Sequence, residues 1–245
     1  KLQNLSIKAK YVVEGFMIGL HKSPYHGFSV EFSEHRPYGF GDEVRHIDWK
    51  LWGKTDRFFV KRYEEETNLK AHIIIDQSGS MGYSSHDINK LEYAKILAAS
   101  FSYMLIKNQD AVGLYMFDSK IKKIISPRST KGHLNLLLSQ MEKIKANNDT
   151  NIAQALHECA EKTHKKGLVI LISDLMDDRE KILMGLKHFL YKGHEVIVFH
   201  ILDPKEINFD FKERIRFRDL ESKAEIITDP RLLKKSYQKN FKIFM

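Results

Sequence analysis

The residues Ile73-Ile74-Ile75-Asp76-Gln77-Ser78-Gly79-Ser80-Met81-Gly82 carry the strongest indication of the fold. A continuous run of β-branched residues is typical of a strand that is buried on both faces, as in a parallel sheet. An aspartate and two serines follow the run, and the glycines between them allow the backbone to turn sharply. The stretch therefore predicts a buried strand and a loop that presents Asp76, Ser78 and Ser80 at the carboxyl end of a sheet.

Short apolar runs alternate with helical patterns on both sides of this loop. The alternation is typical of an α/β fold with a mostly parallel central sheet flanked by helices. Strands buried on both faces are predicted at 72–76, 112–117, 168–173 and 196–202, and an added hairpin strand at 120–125. Helices are predicted at 90–107, 132–144, 152–164 and 179–191. Capping residues support these boundaries: Ser129 and Thr130, Asp177 and Asp178 before helices, and Gly193 after one.

The two ends of the chain differ in pattern from its centre. Residues 71–203 form the predicted α/β domain, whereas 1–70 are a β-rich segment with strand character at 27–32 and 57–63. Residues 204–245 contain predicted strands at 207–211, 214–217 and 224–228 and a terminal helix. Neither end has enough apolar surface to fold alone. We therefore expect the two ends to pack together as a small β-rich satellite.

The basic charge of the chain is spread along its length. The formal net charge is +8 at pH 7, and nucleic-acid-binding proteins more often concentrate their Lys and Arg on one element with interleaved aromatic residues. Arg214, Arg216 and Arg218 recur with a period of two, which favours one solvated face of a strand. We expect an acidic partner rather than nucleic acid.

The cysteine count and the hydropathy pattern indicate the cellular compartment. Cys159 is the only cysteine of the 245 residues, which excludes internal disulfides and Cys-rich zinc sites. It falls on the apolar face of the helix predicted at 152–164, where a core thiol is expected. The longest apolar stretch, 96–106, is interrupted by polar residues and is too short to cross a bilayer. A cytoplasmic location with no membrane span is the prediction.

Two further loops bring oxygen atoms to the same edge of the predicted sheet. Thr150 precedes the helix at 152–164, and Asp174 ends the strand at 168–173. An aspartate near serines is also ordinary turn and cap chemistry, but independent capping does not require three separated loops to meet at one edge. Carboxylate and hydroxyl oxygens without nitrogen or sulfur suit Mg²⁺ or Mn²⁺. The sequence therefore predicts a divalent-cation site.

The set Asp76, Ser78, Ser80, Thr150 and Asp174 resembles the metal-ion-dependent adhesion site of von Willebrand factor A domains, and the resemblance covers residues 71–203. It implies that the two serines ligate the cation directly and that the threonine is a direct or switching ligand. It also implies that the two aspartates mainly hold coordinated waters. Asn148 and Asp149 stand where family members often have glycines, and an added carboxylate at Asp149 would change the affinity for the metal.

A second resemblance precedes the first. Residues 31–50, leading into 60–64, resemble the signature of the bacterial family called domain of unknown function 58, whose members commonly accompany MoxR-type AAA+ ATPases. The matching positions include Arg36, Tyr38, Gly41, Asp42, Arg45, Asp48 and Trp49. Opposite charges and a large aromatic residue in one turn-rich segment favour a structural brace over a binding hot spot. The resemblance implies a role beside an ATP-driven machine.

Three functions are compatible with these patterns. Hydroxyl ligands leave Mg²⁺ incompletely neutralised and short of its six oxygens, so an Asp or Glu of a partner protein can complete the shell. This predicts a non-enzymatic, metal-dependent interaction module. The alternative is a metal-assisted phosphohydrolase in which Asp76 attacks phosphorus, although no P-loop is present. The second alternative, a nucleic-acid-binding module, is based on the basic excess alone.

Overall fold

The computed structural model describes residues 5–13, 35–39, 49–61, 69–146, 151–163, 166–211, 213, 215–218, 220 and 224–245. The chain divides into two compact units, one formed by residues 1–17 and 68–245 and the other by residues 18–67. The first unit contains the whole predicted α/β domain. The predicted packing of the two chain ends against each other stays a prediction.

The described residues form eight α-helices and nine strands in chain order. The helices are α1 (5–13), α2 (Trp49–Thr55), α3 (Lys90–Lys107), α4 (Lys131–Glu142), α5 (Ile152–Lys162), α6 (Arg179–Tyr191), α7 (Pro204–Asn208) and α8 (Pro230–Phe244). The strands are β1 (His35–Pro37), β2 (Phe59–Lys61), β3 (Lys70–Asp76), β4 (Ala111–Phe117), β5 (Ile121–Arg128), β6 (Leu168–Ser173), β7 (Glu195–His200), β8 (Ile215–Arg218) and β9 (Glu225–Thr228).

A five-stranded sheet with the order β5-β4-β3-β6-β7 forms the centre of the first unit. The strands β3, β4, β6 and β7 run parallel, and β5 pairs antiparallel with β4. This confirms the predicted α/β class and the added hairpin strand. Because β3 lies in the middle, its carboxyl end has the ends of β4 and β6 on either side.

Side chains of β3 alternate between two apolar cores. Ile73 and Ile75 pack in a core that also contains residues of α3 and α4, whereas Ile74 packs in a core with residues of α5 and α6. Leu5 and Ala9 of α1 also belong to the first of these cores. Helices on both faces explain why His72 is the only polar residue of β3 between Lys70 and Asp76.

The exposure of strand β7 differs from the sequence prediction. It lies at the edge of the sheet, and Ile197 and Val198 are 44% and 37% exposed. The prediction that it is buried on both faces is therefore wrong. An apolar run alone cannot distinguish a central strand from an edge strand, because both read as β-branched sequence.

The secondary structure of the segment after β7 also differs from the prediction. Residues 207–211 were expected to form a strand, but Pro204–Asn208 is the short helix α7. Asp203 and Glu206 form a capping box and Pro204 occupies the first turn, and these three signals of a helix start outweigh the apolar spacing. Further on, β8 pairs antiparallel with β9 close to the predicted positions. Arg216 and Arg218 are exposed there beside Glu225, as expected for a solvated face.

The second unit contains part of the family signature. Strand β1 pairs antiparallel with β2, and Tyr38 and Trp49 each meet the ring of Phe58 edge to face. Helix α2 was not predicted. Arg36 lies in β1, whereas Gly41, Asp42, Arg45, Asp48 and the strand expected at 27–32 lie outside the described residues. Trp49 is 54% exposed, and the expected brace stays a prediction in both its aromatic and its ionic parts.

Candidate functional site

Asp76 lies at the carboxyl end of β3, where two hydrogen bonds hold its carboxylate. The backbone N–H of Ser78 donates to Oδ1 at 2.8 Å, and the hydroxyl of Ser173 donates to Oδ2 at 2.5 Å. Ser173 is the last residue of the neighbouring strand β6. The parallel pairing of β3 with β6 therefore places the two loops that follow these strands side by side.

The two serines of the loop lie next to each other. Ser78 Oγ and Ser80 Oγ are 3.1 Å apart, and Ser78 is fully buried while Ser80 is partly exposed. The loop is anchored on one side by the N–H of Gln77, which donates to the carbonyl of Phe117 at 2.8 Å, and on the other by the buried Met81. Two hydroxyls are thus presented together on a constrained backbone.

Asp174 also lies at this edge, but it already has a cationic partner. Its Oδ2 accepts a hydrogen bond from Lys90 Nζ at 2.7 Å, and Lys90 donates equally to Glu206 Oε1 at 2.7 Å. The side chains of Lys90 and Asp174 are 3% and 0% exposed. We refer to Lys90, Asp174 and Glu206 as the lysine clasp. It connects the loop after β6, the start of α3 and the short helix α7.

The surroundings of Asp76 raise the pKa of its carboxyl group. Burial, and secondly the charge of Asp174, raise the pKa of Asp76 from 3.8 to about 7, against the hydrogen bonds from Ser173 and Ser78, which lower it. Two buried carboxylates in one place favour the uptake of a proton or a cation. The lysine clasp neutralises Asp174, and Asp76 is the carboxylate that is left to be neutralised.

The backbone after Asp174 adopts an unusual conformation. Leu175 has φ = 54° and lies in the left-handed region, which a non-glycine residue occupies at a cost. Its N–H donates to Ser173 Oγ at 2.9 Å. Ser173 therefore bridges the strained backbone of one loop and the Asp76 carboxylate of the other.

Thr150 lies outside the described residues, but the segment that follows it is placed. Asn151 caps α5, and the N–H of Ile152 donates to Asp177 Oδ2 at 2.9 Å. Asp177 was expected to cap α6, a role that Asp178 fills by accepting from Glu180 and Lys181. Asp177 instead ties the start of α5 to the loop after β6.

The donor set at this edge suits a hard divalent cation. Asp76, Ser78, Ser80 and Asp174 offer only oxygen atoms, which Mg²⁺ and Mn²⁺ prefer. Within the described residues, no group of three or more His, Cys, Asp or Glu side chains is arranged to hold a metal. The described residues would therefore hold a cation at this edge with hydroxyls and at most two carboxylates, a set that leaves positions for water or an outside ligand.

Sequence reasoning missed three side chains of this edge: Lys90, Ser173 and Glu206. Lys90 was visible only as the first residue of a helix, and its partners lie 84 and 116 positions away. Glu206 could have been placed from the capping-box spacing after Asp203. Cys159 conforms to expectation, because it is fully buried and burial raises its pKa to about 12.

Comparisons with known proteins are consistent with these features. The family described as "Protein of unknown function DUF58" matches residues 34–242. An uncharacterized protein of Mycobacterium tuberculosis and one of Mycobacterium bovis are each 22% identical over 236 residues, which cover 94% of this chain and 74% of theirs.

Solved structures resemble the chain at low identity. The conserved hypothetical protein BatB from Bacteroides thetaiotaomicron is 21% identical, with a TM-score of 0.49 over 71% of this chain and 87% of that one. A von Willebrand factor type A protein from Catenulispora acidiphila is 13% identical, with a TM-score of 0.40 over 74% of this chain and 42% of that one.

Among the described residues, no helix combines the length and apolar character needed to cross a bilayer.

Proposed function

The chain belongs to the DUF58 family, and we propose that it is a non-enzymatic protein-interaction module that depends on a divalent cation. The observation that carries the proposal is the meeting of Asp76, Ser78, Ser80 and Asp174 at one edge of the sheet. The von Willebrand factor A-like order of strands and helices supports the same function by analogy.

The proposed roles follow from how each side chain is held. Ser78 and Ser80 would ligate Mg²⁺ or Mn²⁺ through their adjacent hydroxyls, and Thr150 would add a third hydroxyl. Asp76 and Asp174 would accept hydrogen bonds from coordinated waters, because their carboxylates are fixed by Ser173 and Lys90. The bound cation supplies positive charge and an open coordination position.

The partner is proposed to supply an Asp or Glu. If a partner carboxylate bound the cation, the partner residues next to that carboxylate would lie near the start of α3. An open cavity of about 670 Å³ lies there, lined by Lys90 together with Tyr93, Leu97, Phe199 and His200 among others. Its aromatic and aliphatic walls suit an apolar side chain flanking the acid.

We further propose a MoxR-type AAA+ ATPase as the partner, for which this chain would act as an adaptor. This step is based on the family resemblance of residues 31–50 and not on the geometry of the site. The acid recognised would then belong to the ATPase. Losing a charge-assisted carboxylate contact in a desolvated interface costs about 2 to 5 kcal/mol, or roughly thirtyfold or more in affinity.

A metal-assisted phosphohydrolase is the alternative, and the environment of Asp76 argues against it. Each carboxylate oxygen already accepts one hydrogen bond, from Ser78 or from Ser173, and the side chain is fully buried, which limits the access of a phosphoester to it. If the enzyme reading were right, a generic phosphoester would be hydrolysed in a metal-dependent way and Asp76→Asn would abolish the activity.

The decisive test is calorimetric titration of the full chain with Mg²⁺ and with Mn²⁺. The variant Ser78→Ala/Ser80→Ala should lose binding at one site, whereas Ser100→Ala/Ser102→Ala, which removes two hydroxyls that donate to carbonyls within α3, should bind like the wild type. Circular dichroism checks that both variants fold. Equal metal uptake by all three proteins would exclude this loop as the site.

The partner is tested separately by measuring association with the ATPase in Mg²⁺ and in EDTA. We expect chelator to abolish binding and Thr150→Ala and Asp174→Ala to weaken it. Binding that ignores the chelator but fades with salt would indicate an electrostatic contact instead, and nucleic acid as a competitor would reveal whether it is the ligand.

A further inference from the structure

Helix α8 at the end of the chain is basic along its whole length. Residues 230–245 contain five Lys or Arg and no Asp or Glu. Arg231 is paired with Asp229, which caps the helix. Among the described residues, no carboxylate forms an ion pair with Lys235, Lys239 or Lys242, so their charges are available to an outside partner.

One face of α8 is already used inside the protein. Tyr237 stacks on Phe209 at 4.2 Å and its hydroxyl donates to the carbonyl of Glu206 at 2.7 Å. Phe241 stacks on Tyr237, and Phe244 meets the ring of His200 edge to face. These contacts fix how the helix is rotated about its axis, and therefore which side chains face outward.

The outward face joins cationic and apolar side chains in one line. Leu232 and Ile243 are 79% and 64% exposed, and Lys235, Lys239 and Lys242 between them are also exposed. At 100° per residue all five side chains fall within an arc of about 100°. The line is about 16 Å long, with a large aliphatic residue at each end and lysines between.

We propose that this outward face of α8 docks on an anionic lipid surface. Lysines attract acidic headgroups, and exposed aliphatic side chains beside them insert at the boundary between headgroups and acyl chains. The face is a straight, convex ridge with two exposed aliphatic residues, which fits a flat deformable surface.

The proposal does not depend on the metal site, and it concerns attachment to the membrane surface without a spanning segment. A ridge held by the Tyr237 and Phe244 contacts would lie along the bilayer with its inner face still packed on the protein. The lysine clasp would keep its place, because α8 contacts Glu206 through Tyr237, which lies on the inner face of the helix.

The test is sedimentation of the full chain with vesicles at low and at physiological salt. Vesicles of phosphatidylcholine mixed with phosphatidylglycerol should bind the protein, and vesicles of phosphatidylcholine alone should not. The variant Lys235→Gln/Lys239→Gln should bind the anionic vesicles about thirtyfold more weakly. The control Lys131→Gln/Lys187→Gln has the same net charge, removes exposed lysines of α4 and α6, and should bind like the wild type.

The aliphatic contribution is tested in the same assay with Leu232→Ser/Ile243→Ser, which should bind at least about tenfold more weakly. Its control is Met184→Ser/Leu190→Ser on α6, where both side chains are also exposed. Equal losses in the lysine variant and its control would mean that only net charge matters and would overturn the proposal. So would binding of soluble polyglutamate in preference to the vesicles, which would identify an acidic polypeptide as the partner.

Discussion

Replacing Lys90 with Met tests the lysine clasp directly. The change keeps the apolar stem of the side chain and removes the ammonium that lies 2.7 Å from both Asp174 and Glu206. Asp174 is fully buried, so it would be left as an uncompensated charge beside Asp76. Breaking a buried ion pair from one side costs about 3 to 5 kcal/mol. In a protein of this size each kcal/mol lowers Tm by about 2 to 4 °C, so we expect a decrease of about 6 to 20 °C.

Lys95→Met is the matched control on the same helix. Lys95 is also buried and also forms a 2.7 Å ion pair, but its partner Glu92 is 52% exposed. Water can solvate that carboxylate once the lysine is gone, so the loss should stay within about 1 kcal/mol. The comparison separates the effect of losing a lysine from the effect of stranding a buried carboxylate.

Magnesium connects this measurement with the proposed function. If a cation binds beside Asp174, it should replace part of the lost positive charge, and 5 to 10 mM Mg²⁺, roughly the range of a weak site, should raise the Tm of Lys90→Met more than that of Lys95→Met. Thermal unfolding with Mg²⁺ and with EDTA provides both values. Equal Tm values for the two variants in EDTA would refute the reasoning about the clasp. A large decrease in the Tm of Lys90→Met that Mg²⁺ does not change would support the reasoning about the clasp and count against the metal site.

Two further outcomes follow from the site and the sheet. The pKa of Asp76 is about 7 in the folded chain against an ordinary 3.8; the folded protein therefore binds a proton that the unfolded chain releases between these values. The free energy of unfolding in EDTA should fall by an amount on the order of 4 kcal/mol as pH rises through this window, and urea unfolding of Asp76→Asn should show a much flatter dependence. Gly167→Ala would place a Cβ 2.0 Å from the carbonyl oxygen of Lys70, whereas Gly132→Ala meets nothing within 4 Å. Chemical denaturation should show the first variant destabilised by about 1 to 3 kcal/mol and the second unchanged or slightly stabilised, and equal stabilities would contradict this packing.

The central sheet could be predicted because its strands are continuous apolar runs and its helices carry local capping signals. Thr130 and Gly193 lie where helix starts and ends require them, and such signals depend only on neighbouring residues. At α7 two local signals conflict, because the apolar spacing of residues 207–211 predicts a strand and the capping box at Asp203 predicts the helix that the structure contains.

The candidate site was predicted only in part for a different reason. Asp76, Ser78 and Ser80 are neighbours in the sequence, so one motif reveals them. The clasp joins residues more than 80 positions apart, and no periodicity or spacing indicates which acid a lysine will meet. Whether Lys90 meets Asp174 and Glu206 depends on the order of the strands in the sheet and on the position of α7.

The hydrogen bond from Ser173 to Asp76 also has a consequence for how the chain folds. It joins residues 97 positions apart, and the strands that carry them are neighbours in the sheet. Closing a loop of this length costs entropy before any contact rewards it, so parallel pairings of this kind form slowly. The edge with both aspartates comes into being only when β6 docks on β3. A nascent chain that has not yet completed β6 carries the Asp-Xaa-Ser-Xaa-Ser loop without Ser173 or Asp174, and acquires the complete edge only after its second half has been synthesised.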